Sequence, residues 1–358
     1  MSASGCKKEL ETFQRENRAC NVVVMPDFFF DRIINLNCTI ETFSNLMLDI
    51  VNRNGGSLDR ISQTELRGGN AINVASALTN LGVNVTPIVC TSEHGLEQIR
   101  RAFKNKSVDT SHVKTCKKPS ITTALEFSSQ SGKTNIMLRD LGDLADFGPK
   151  DLSENDYETI KNADYTCLFN WAGTVKFGTR LAKAIFEGAK KGRSKTYFDT
   201  ADPLPNAKAI PDLIRKIMET DLVDILSINE NEAITYASFF DASIKSRRED
   251  LKQDELAIDA ARVLARHLHA RIDLHTSLFS ASLQGSHEVI VPTFRIRILR
   301  ATGAGDAWDA GNIIGDHYAL SDECRLTIAN AVSACYLQDV QGMHPSKEII
   351  SNFINSMV

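Results

Sequence analysis

The sequence lacks the features that mark several classes of protein. None of its eight cysteines forms a Cys-x-x-Cys pair, so neither a zinc ribbon nor a thioredoxin-type redox site is indicated. No apolar run approaches the roughly 18 residues that a membrane-spanning helix needs. Basic residues number 41 against 45 acidic ones, so no general positive field draws the chain to nucleic acid or to an anionic membrane. These absences favour a small-molecule partner.

The composition is that of an ordinary folded protein. Of the 358 residues, 42% are hydrophobic and 24% are charged, which is close to the average of globular proteins. The first twenty residues are mostly polar and lack the apolar stretch of a signal peptide. Scattered free thiols fit a reducing compartment. We therefore expect a cytoplasmic protein.

Strand-like and helix-like segments alternate along most of the chain. Residues 21–25 are a β-branched run that ends at Pro26, and residues 71–81 repeat apolar side chains at helical spacing before Gly82. Further strand-like runs lie at 85–90, 164–169, 195–198, 224–228 and 271–274. This alternation predicts an α/β fold with a mostly parallel central sheet, helices on both faces, and a ligand crevice at the carboxyl ends of the strands.

Two segments interrupt the alternation and predict a small β-rich lid. Residues 33–66 and 115–140 have the look of strands and hairpins, not helices. Paired as a second sheet, they would cover the crevice. The predicted core is then 1–32, 67–114 and 141–358.

The densest chemical signal is a loop of small residues late in the chain. After a strand-like run at 293–299, residues 302–305 open a helix whose free amides and positive end could hold phosphate oxygens. Thr302 is the first residue of this loop, and Asp306 lies in the first turn of the helix. A carboxylate beside a bound phosphoryl group is what a phosphotransferase needs to accept the proton of an attacking hydroxyl.

In this interpretation Asp306 is the base, and Gly303, Ala304 and Gly305 form the anion hole. The alternative is that the glycines only let a helix pack tightly, while Asp306 stabilises its own helix. Local sequence supports both interpretations about equally.

A second glycine pair begins the helix at 71–81. Gly68 and Gly69 would let the backbone touch a ligand, and Asn73 offers a donor and an acceptor. The alternative is a glycine hinge with an asparagine cap, which is favoured when the stretch is taken alone.

Polar residues also follow two of the predicted strands. Asn229 and Glu232 could organise a hydrated Mg²⁺, or they could form a capping box. Asp27 and Asp31 flank the end of the first strand and could hold substrate hydroxyls or cap a turn.

Three histidines, His267, His269 and His275, do not have the spacing of metal ligands, so we interpret them as structural.

Taken together and in order, these motifs resemble the ribokinase family, also called the PfkB carbohydrate-kinase family. The resemblance spans roughly residues 21–350. It is carried by Asp27-x-x-x-Asp31, Gly68-Gly69 with Asn73, Asn229-x-x-Glu232, Gly303-Ala304-Gly305-Asp306, and Ala329-Asn330-Ala331 with Gly342 and Pro345.

The resemblance implies a ribokinase-like three-layer α/β/α fold and a kinase that uses ATP and Mg²⁺ to phosphorylate a hydroxyl of a sugar, a sugar derivative or a nucleoside. It implies Asp306 as the base. The acceptor residues it implies are Asp27, Asp31, Gly68, Gly69, Asn73 and the lid residue Arg139. The nucleotide residues it implies are Asn229, Thr276, Thr302, Gly303, Gly305 and Asn330, with Asn229 and Glu232 serving Mg²⁺ through water.

The nucleotide loop departs from the family pattern. Leu278 and Ala281 stand where the family has glycines. We expect these side chains to narrow the approach of the backbone to a nucleotide and to alter donor preference or affinity.

A sugar kinase is therefore the leading hypothesis, and two alternatives stay open. Phe28, Phe29 and Phe30 could stack a base in a nucleoside kinase, or they could belong to the core. A non-catalytic ligand-binding protein on the same fold is favoured by the altered nucleotide loop. No nucleic-acid or membrane partner is expected, and the edges of an open lid sheet could pair two copies into a homodimer.

Overall fold

The computed structural model describes residues 3–129, 132–247, 251–299 and 302–357. In chain order the strands are β1 (Asn21–Met25), β2 (Phe29–Asn35), β3 (Ser62–Gly68), β4 (Asn84–Pro87), β5 (Cys90–Thr91), β6 (Lys114–Thr115), β7 (Ser120–Ser129), β8 (Gly132–Asp140), β9 (Tyr165–Leu168), β10 (Lys195–Asp199), β11 (Ile225–Ile228), β12 (Arg271–His275), β13 (Phe279–Gln284) and β14 (His287–Pro292). The helices are α1 (Ala3–Arg15), α2 (Ile40–Asn52), α3 (Asn70–Asn80), α4 (Glu93–Ala102), α5 (Glu154–Asn162), α6 (Gly178–Lys190), α7 (Ile210–Leu213), α8 (Glu230–Phe240), α9 (Ser243–Ser246), α10 (Gln253–His267), α11 (Ala304–His317), α12 (Asp322–Gln338) and α13 (Lys347–Met357).

The central sheet has the strand order β14-β13-β12-β11-β10-β9-β1-β4. Pairing is parallel from β4 to β12, and antiparallel where β13 and β14 extend the sheet. Because parallel strands end at one edge, the residues at or just after their carboxyl ends meet there. These residues are Asp27, Asn170, Asp199, Asn229 and His275.

Helices cover both faces of this sheet, which explains why β1 is a continuous apolar run. Val22 and Val24 pack in one hydrophobic cluster with α1, α3, α4, α11, α12 and α13. Val23 and Met25 pack in the other, with α5, α6, α8 and α10. The predicted three-layer α/β/α architecture is confirmed. In the described part of the chain, each helix is too short or too polar to cross a bilayer.

A second sheet, ordered β3-β2-β7-β8, is built largely from the two segments predicted as a lid. We call it the lid sheet. Strand β2 begins at Phe29 and β3 ends at Gly68, so both extend beyond the predicted segment 33–66. β3 and β8 are its outer strands. Pairing of a second copy along them stays a prediction.

The prediction that the first lid segment holds no helix is wrong, since α2 lies inside it. Thr39 begins this helix, its side chain accepting a hydrogen bond from the Thr42 amide. Apolar residues then recur at helical spacing from Ile40, and the ring of Phe43 packs 5.6 Å from that of Phe127 on β7. The spacing of three and four residues outweighs the strand interpretation.

The prediction of a strand at residues 293–299 is also wrong. The last strand is β14, which ends at Pro292, opposite the first residue of β13, Phe279. No further residue of β13 remains to pair with the chain beyond Pro292. Thr293 is instead tied to the loop before β13, its amide donating to the Leu278 carbonyl at 3.0 Å.

Candidate active site

Two cavities flank the N-terminus of α11 at the carboxyl edge of the central sheet. The lid cavity, of about 400 Å³, lies under the lid sheet and is lined by residues that include Asp31, Gly69, Asn73, Arg139, Gly303 and Asp306. The helix cavity, of about 420 Å³, is lined by residues that include Thr276, Phe294, Ala304, Gly305 and Asn330. The predicted anion-hole loop therefore separates the two.

The loop itself requires glycine at position 303. Gly303 has φ +85°, and a Cβ there would lie 2.6 Å from the Tyr336 hydroxyl oxygen. The first hydrogen bond of α11 runs from the Ala307 amide to the Gly303 carbonyl. The amides of Ala304 and Gly305 therefore precede the helical hydrogen bonds and are free to bind an anion.

The carboxyl group of Asp306 lies at the junction of the loop and the lid cavity and is only 6% exposed. Its two oxygens accept hydrogen bonds from the side-chain amides of Asn70 and Asn73, each at 2.8 Å. Burial raises the pKa of Asp306 to about 7, although the hydrogen bonds from the side-chain amides of Asn70 and Asn73 lower it. A carboxyl group with this pKa can exchange a proton near neutral pH.

Asn73 thus holds the predicted base as well as lining the cavity. Sequence reasoning missed Asn70, although it stands directly after the glycine pair.

Asp27 lies beneath the cavity. Its carboxylate accepts hydrogen bonds from the amides of Asn70 and Ala71 at the start of α3, each at 2.9 Å, and from the Asn170 side chain at 3.0 Å. These contacts are those of a helix cap. Asp27 is not one of the described residues that line the lid cavity. A direct contact between Asp27 and the acceptor is therefore not supported.

Asp31 lies at the cavity wall, and Gly68 behind it. A Cβ on Gly68 would come within 2.0 Å of an Asp31 carboxylate oxygen. The first glycine of the pair therefore makes room for a carboxylate and does not itself line the cavity. Gly69 does line it, with φ +100°, and a Cβ there would lie 2.9 Å from the Asp27 carbonyl oxygen. Burial raises the pKa of Asp31.

Asn170 lines the lid cavity and was not foreseen. Its Nδ2 donates to Asp27, whereas its Oδ1 is buried without a hydrogen-bond partner among the described residues. Buried acceptors are rarely left unsatisfied, so this atom is ready for a donor from a ligand. A polar residue two positions after the end of strand β9 was the signal that could have found it.

Two arginines reach the lid cavity from different strands. The guanidinium of Arg139, the lid residue implied by the resemblance, lies 5.4 Å from the ring centre of Phe29. The other, Arg67, was missed, although it precedes the glycine pair; it stacks 5.0 Å from the ring centre of Phe103, and its Nε is buried without a partner. Neither forms an ion pair with a described carboxylate.

The helix cavity contains three of the predicted nucleotide residues, Thr276, Gly305 and Asn330. Thr276 closes a local turn, its hydroxyl donating to the Phe279 carbonyl at 2.7 Å. The Asn330 side chain accepts from the Trp308 indole at 3.0 Å. Leu278, 59% exposed, and Ala281, fully buried in β13, do not line this cavity. Leu278 lines the adjoining surface instead, and an effect of these two side chains on nucleotide binding stays a prediction.

Asn229 and Glu232 form a capping box at the start of α8. The Glu232 carboxylate accepts from the amide and the side chain of Asn229, at 3.0 and 2.8 Å. Burial and the nearby Asp199 raise the pKa of Glu232 well above its ordinary value. Each carboxylate oxygen already accepts a hydrogen bond of the cap, and the raised pKa favours the neutral carboxyl group, so this pair is a poor direct ligand for Mg²⁺. An ion held through water stays a prediction.

Comparisons with known proteins agree with this architecture. A family model described as pfkB family carbohydrate kinase matches residues 40–349. No curated protein sequence matches the chain.

Solved structures share the fold at low sequence identity. The Arabidopsis thaliana ribokinase complexed with ribose and ATP superposes with a TM-score of 0.71 at 17% identity, covering 94% of this chain and 99% of that one. The Cryptococcus neoformans ribokinase in complex with ADP gives 0.70 at 15%, with coverage of 94% and 99%. The Methanocaldococcus jannaschii nucleoside kinase gives 0.68 at 16%, with coverage of 95% and 100%. The predicted ribokinase-like fold is confirmed.

Proposed function

The chain belongs to the pfkB family of carbohydrate kinases, and on that premise we propose that it transfers the terminal phosphoryl group of ATP to a hydroxyl of a sugar or sugar-like molecule. One observation carries the proposal. The buried carboxyl group of Asp306 lines the lid cavity beside the loop that separates the two cavities, at a helix N-terminus with free amides. Similar structures bound to ATP and ADP support the choice of donor.

The acceptor binds in the lid cavity, and the nucleotide binds in the helix cavity. Asp31 accepts hydrogen bonds from acceptor hydroxyls, as does the unpartnered Oδ1 of Asn170. The reacting hydroxyl gives its proton to Asp306 as it attacks the phosphoryl group. The amides of Ala304 and Gly305 stabilise the charge on the transferred oxygens.

Asn70 and Asn73 orient the Asp306 carboxylate and keep its ionised form accessible at neutral pH. Mg²⁺ would neutralise phosphate charge when bound with ATP. No step here depends on Asn229 or Glu232.

The aromatic residues favour a sugar over a nucleoside. Phe28 is fully buried in the core, and Phe30 stacks on His94 with ring centres 5.5 Å apart, away from the lid cavity. Only Phe29 of the three lines that cavity among the described residues, and Arg139 already covers its ring. A nucleoside base would have to displace this arginine in order to stack.

The test is ADP release from ATP with a panel of acceptors. The panel contains sugars, polyols and nucleosides. It also contains sugar phosphates and sugar acids, because Arg67 and Arg139 form no ion pair with a carboxylate among the described residues. We expect turnover with a sugar-like acceptor. We also expect Asp306→Asn to lower kcat by at least about a hundredfold, the scale of general-base contributions.

The matched control is Asp221→Asn, which neutralises a carboxylate that is 94% exposed. It should leave kcat unchanged. If every acceptor fails while ligands still bind, the non-catalytic alternative is right. If Asp306→Asn retains full activity, the mechanism is wrong.

A further inference from the structure

Three side chains that the proposed reaction does not use meet beside the N-terminus of α11. They are Asp199 at the end of β10, His275 at the end of β12, and Asp309 in α11. One potential ligand atom of each lies within 4.8 Å of the other two. Because the three come from separate elements, their spacing along the chain gave no sign of the cluster. His275 in particular was interpreted as structural.

The cluster contains two buried polar atoms whose hydrogen bonding is unsatisfied. Asp309 is fully buried, and its Oδ1 accepts from the hydroxyl groups of Tyr197 at 2.7 Å and Ser227 at 2.6 Å. Its Oδ2 has no hydrogen-bond partner among the described residues, and neither has the buried Nε2 of His275. Since buried polar atoms are nearly always hydrogen-bonded, two unpaired atoms in one cluster indicate that the cluster binds a ligand.

The charge of the cluster is also uncompensated. Asp199 is 7% exposed, and its Oδ1 accepts a hydrogen bond from the Ala201 amide at 2.8 Å. No described lysine or arginine forms an ion pair with Asp199 or Asp309. A bound cation would supply the missing positive charge.

We propose that Asp199, His275 and Asp309 form a binding site for a divalent transition-metal ion. Imidazole with carboxylates suits Mn²⁺, Co²⁺ or Zn²⁺, whereas Mg²⁺ prefers oxygen ligands and keeps its water. Ligand atoms around such an ion lie roughly 3 to 4 Å apart at metal–ligand distances near 2.1 Å. Small side-chain movements from the present spacing are therefore enough to close the site.

The site is distinct from the predicted Mg²⁺ position at Asn229 and Glu232, and it does not depend on the kinase activity. It lies directly under the anion-hole loop, because a Cβ on Gly305 would come within 3.3 Å of the His275 ring carbon Cε1. The ion would therefore form the floor of the helix cavity.

The ring of Trp308 provides a local probe, since its centre lies 5.0 Å from that of His275. The full chain is stripped with a chelator and titrated with CoCl₂ without nucleotide or acceptor. We expect saturable quenching of tryptophan fluorescence at one Co²⁺ per chain. Zn²⁺ should reverse the quenching, and a roughly thousandfold excess of Mg²⁺ should not. Zn²⁺ content after equilibrium dialysis gives a second readout that does not depend on fluorescence.

Two variants locate the site, each with a matched control. His275→Gln and Asp309→Asn should each weaken Co²⁺ binding by roughly a hundredfold or more, because loss of an outer-shell partner alone costs up to about a hundredfold. His287→Gln and Asp202→Asn change exposed residues of the same types and should bind as the unmodified chain does. If Asp309→Asn does not fold, His275→Gln carries the test, because its ring lies at a cavity wall.

The proposal is overturned if the unmodified chain shows no saturable Co²⁺ binding, if Mg²⁺ competes as well as Zn²⁺, or if His275→Gln binds as tightly as its control. None of these results bears on Asp306. A failure here is therefore distinguishable from a failure of the proposed phosphoryl transfer, which is read from Asp306→Asn.

Discussion

Replacing Asn73 with alanine should move the pH at which the enzyme gains activity. Asp306 accepts the substrate proton only when ionised, so kcat/KM rises with pH through its pKa of about 7 and then levels off. The amide of Asn73 bonds the carboxylate at 2.8 Å and lowers that pKa. Without this bond, the acid limb of the pH profile shifts to higher pH.

The size of the shift follows from the strength of the bond. A hydrogen bond to a charged group contributes about 1.5–3 kcal/mol, and one pKa unit corresponds to about 1.4 kcal/mol, so the limb moves by roughly one to two units. At pH 7 the ionised fraction then falls from about a half to between a tenth and a hundredth, a loss of roughly five- to fiftyfold in kcat/KM. Most of that loss should be recovered near pH 9.

The assay is initial-rate kinetics from pH 5 to 10 with saturating ATP. Asn70→Ala, which removes the other amide, should shift the limb in the same direction, and the exposed Asn84→Ala should not shift it. A loss of equal size at every pH would show that Asn73 only positions the substrate, and it would refute the assignment of the limb to Asp306.

Three further predictions test the surroundings of the site. Gly303→Ala places a Cβ 2.6 Å from the Tyr336 hydroxyl on a backbone with φ +85°, so both Tm and kcat/KM should fall. The left-handed backbone alone adds strain of roughly 1–2 kcal/mol. Thermal unfolding and initial-rate kinetics check this. Arg325→Met removes one of the two arginines paired with the buried Asp273, while Arg271 keeps its own pairing at 2.9 Å. It should cost about 1.5–3 kcal/mol in urea unfolding, the strength of a hydrogen bond to a charged group, and an unchanged midpoint would contradict this. Arg67→Gln should raise KM for anionic acceptors more than for neutral ones. An equal rise in KM for both would show that Arg67 does not contribute to the selection of charged acceptors.

Much of the fold was predictable because the strongest signals were local. The β-branched run of β1, the helical spacing of α3 and the small-residue loop before α11 each depend on residues that are neighbours in sequence. The loop and Asp306 could be recognised for the same reason. The two wrong elements, at α2 and at residues 293–299, arose where short apolar runs fit both strand and helix, or where the partner strand ended.

The rest of the site could not be predicted because it depends on tertiary contacts. Asp27 looked like an acceptor ligand, yet three hydrogen bonds tie it to α3 and Asn170. Arg67 carries no mark in the sequence that distinguishes it from a surface arginine. The sites of this fold are assembled from strand ends, and the order of strands in the sheet decides which ends meet.

One of the connections between the lid sheet and the core is a single residue long. Strand β3 ends at Gly68 and helix α3 begins at Asn70, so only Gly69, with its φ of +100°, lies between them. β3 belongs to the sheet over the lid cavity, and α3 carries the two asparagines whose side-chain amides bind Asp306. Because this connection is so short, we expect a movement of the lid sheet to be transmitted through Gly69 to the start of α3. Closure of the lid sheet over the acceptor and adjustment of the Asp306 carboxylate would then occur in one motion. ATP would be hydrolysed more slowly when the lid cavity holds no acceptor.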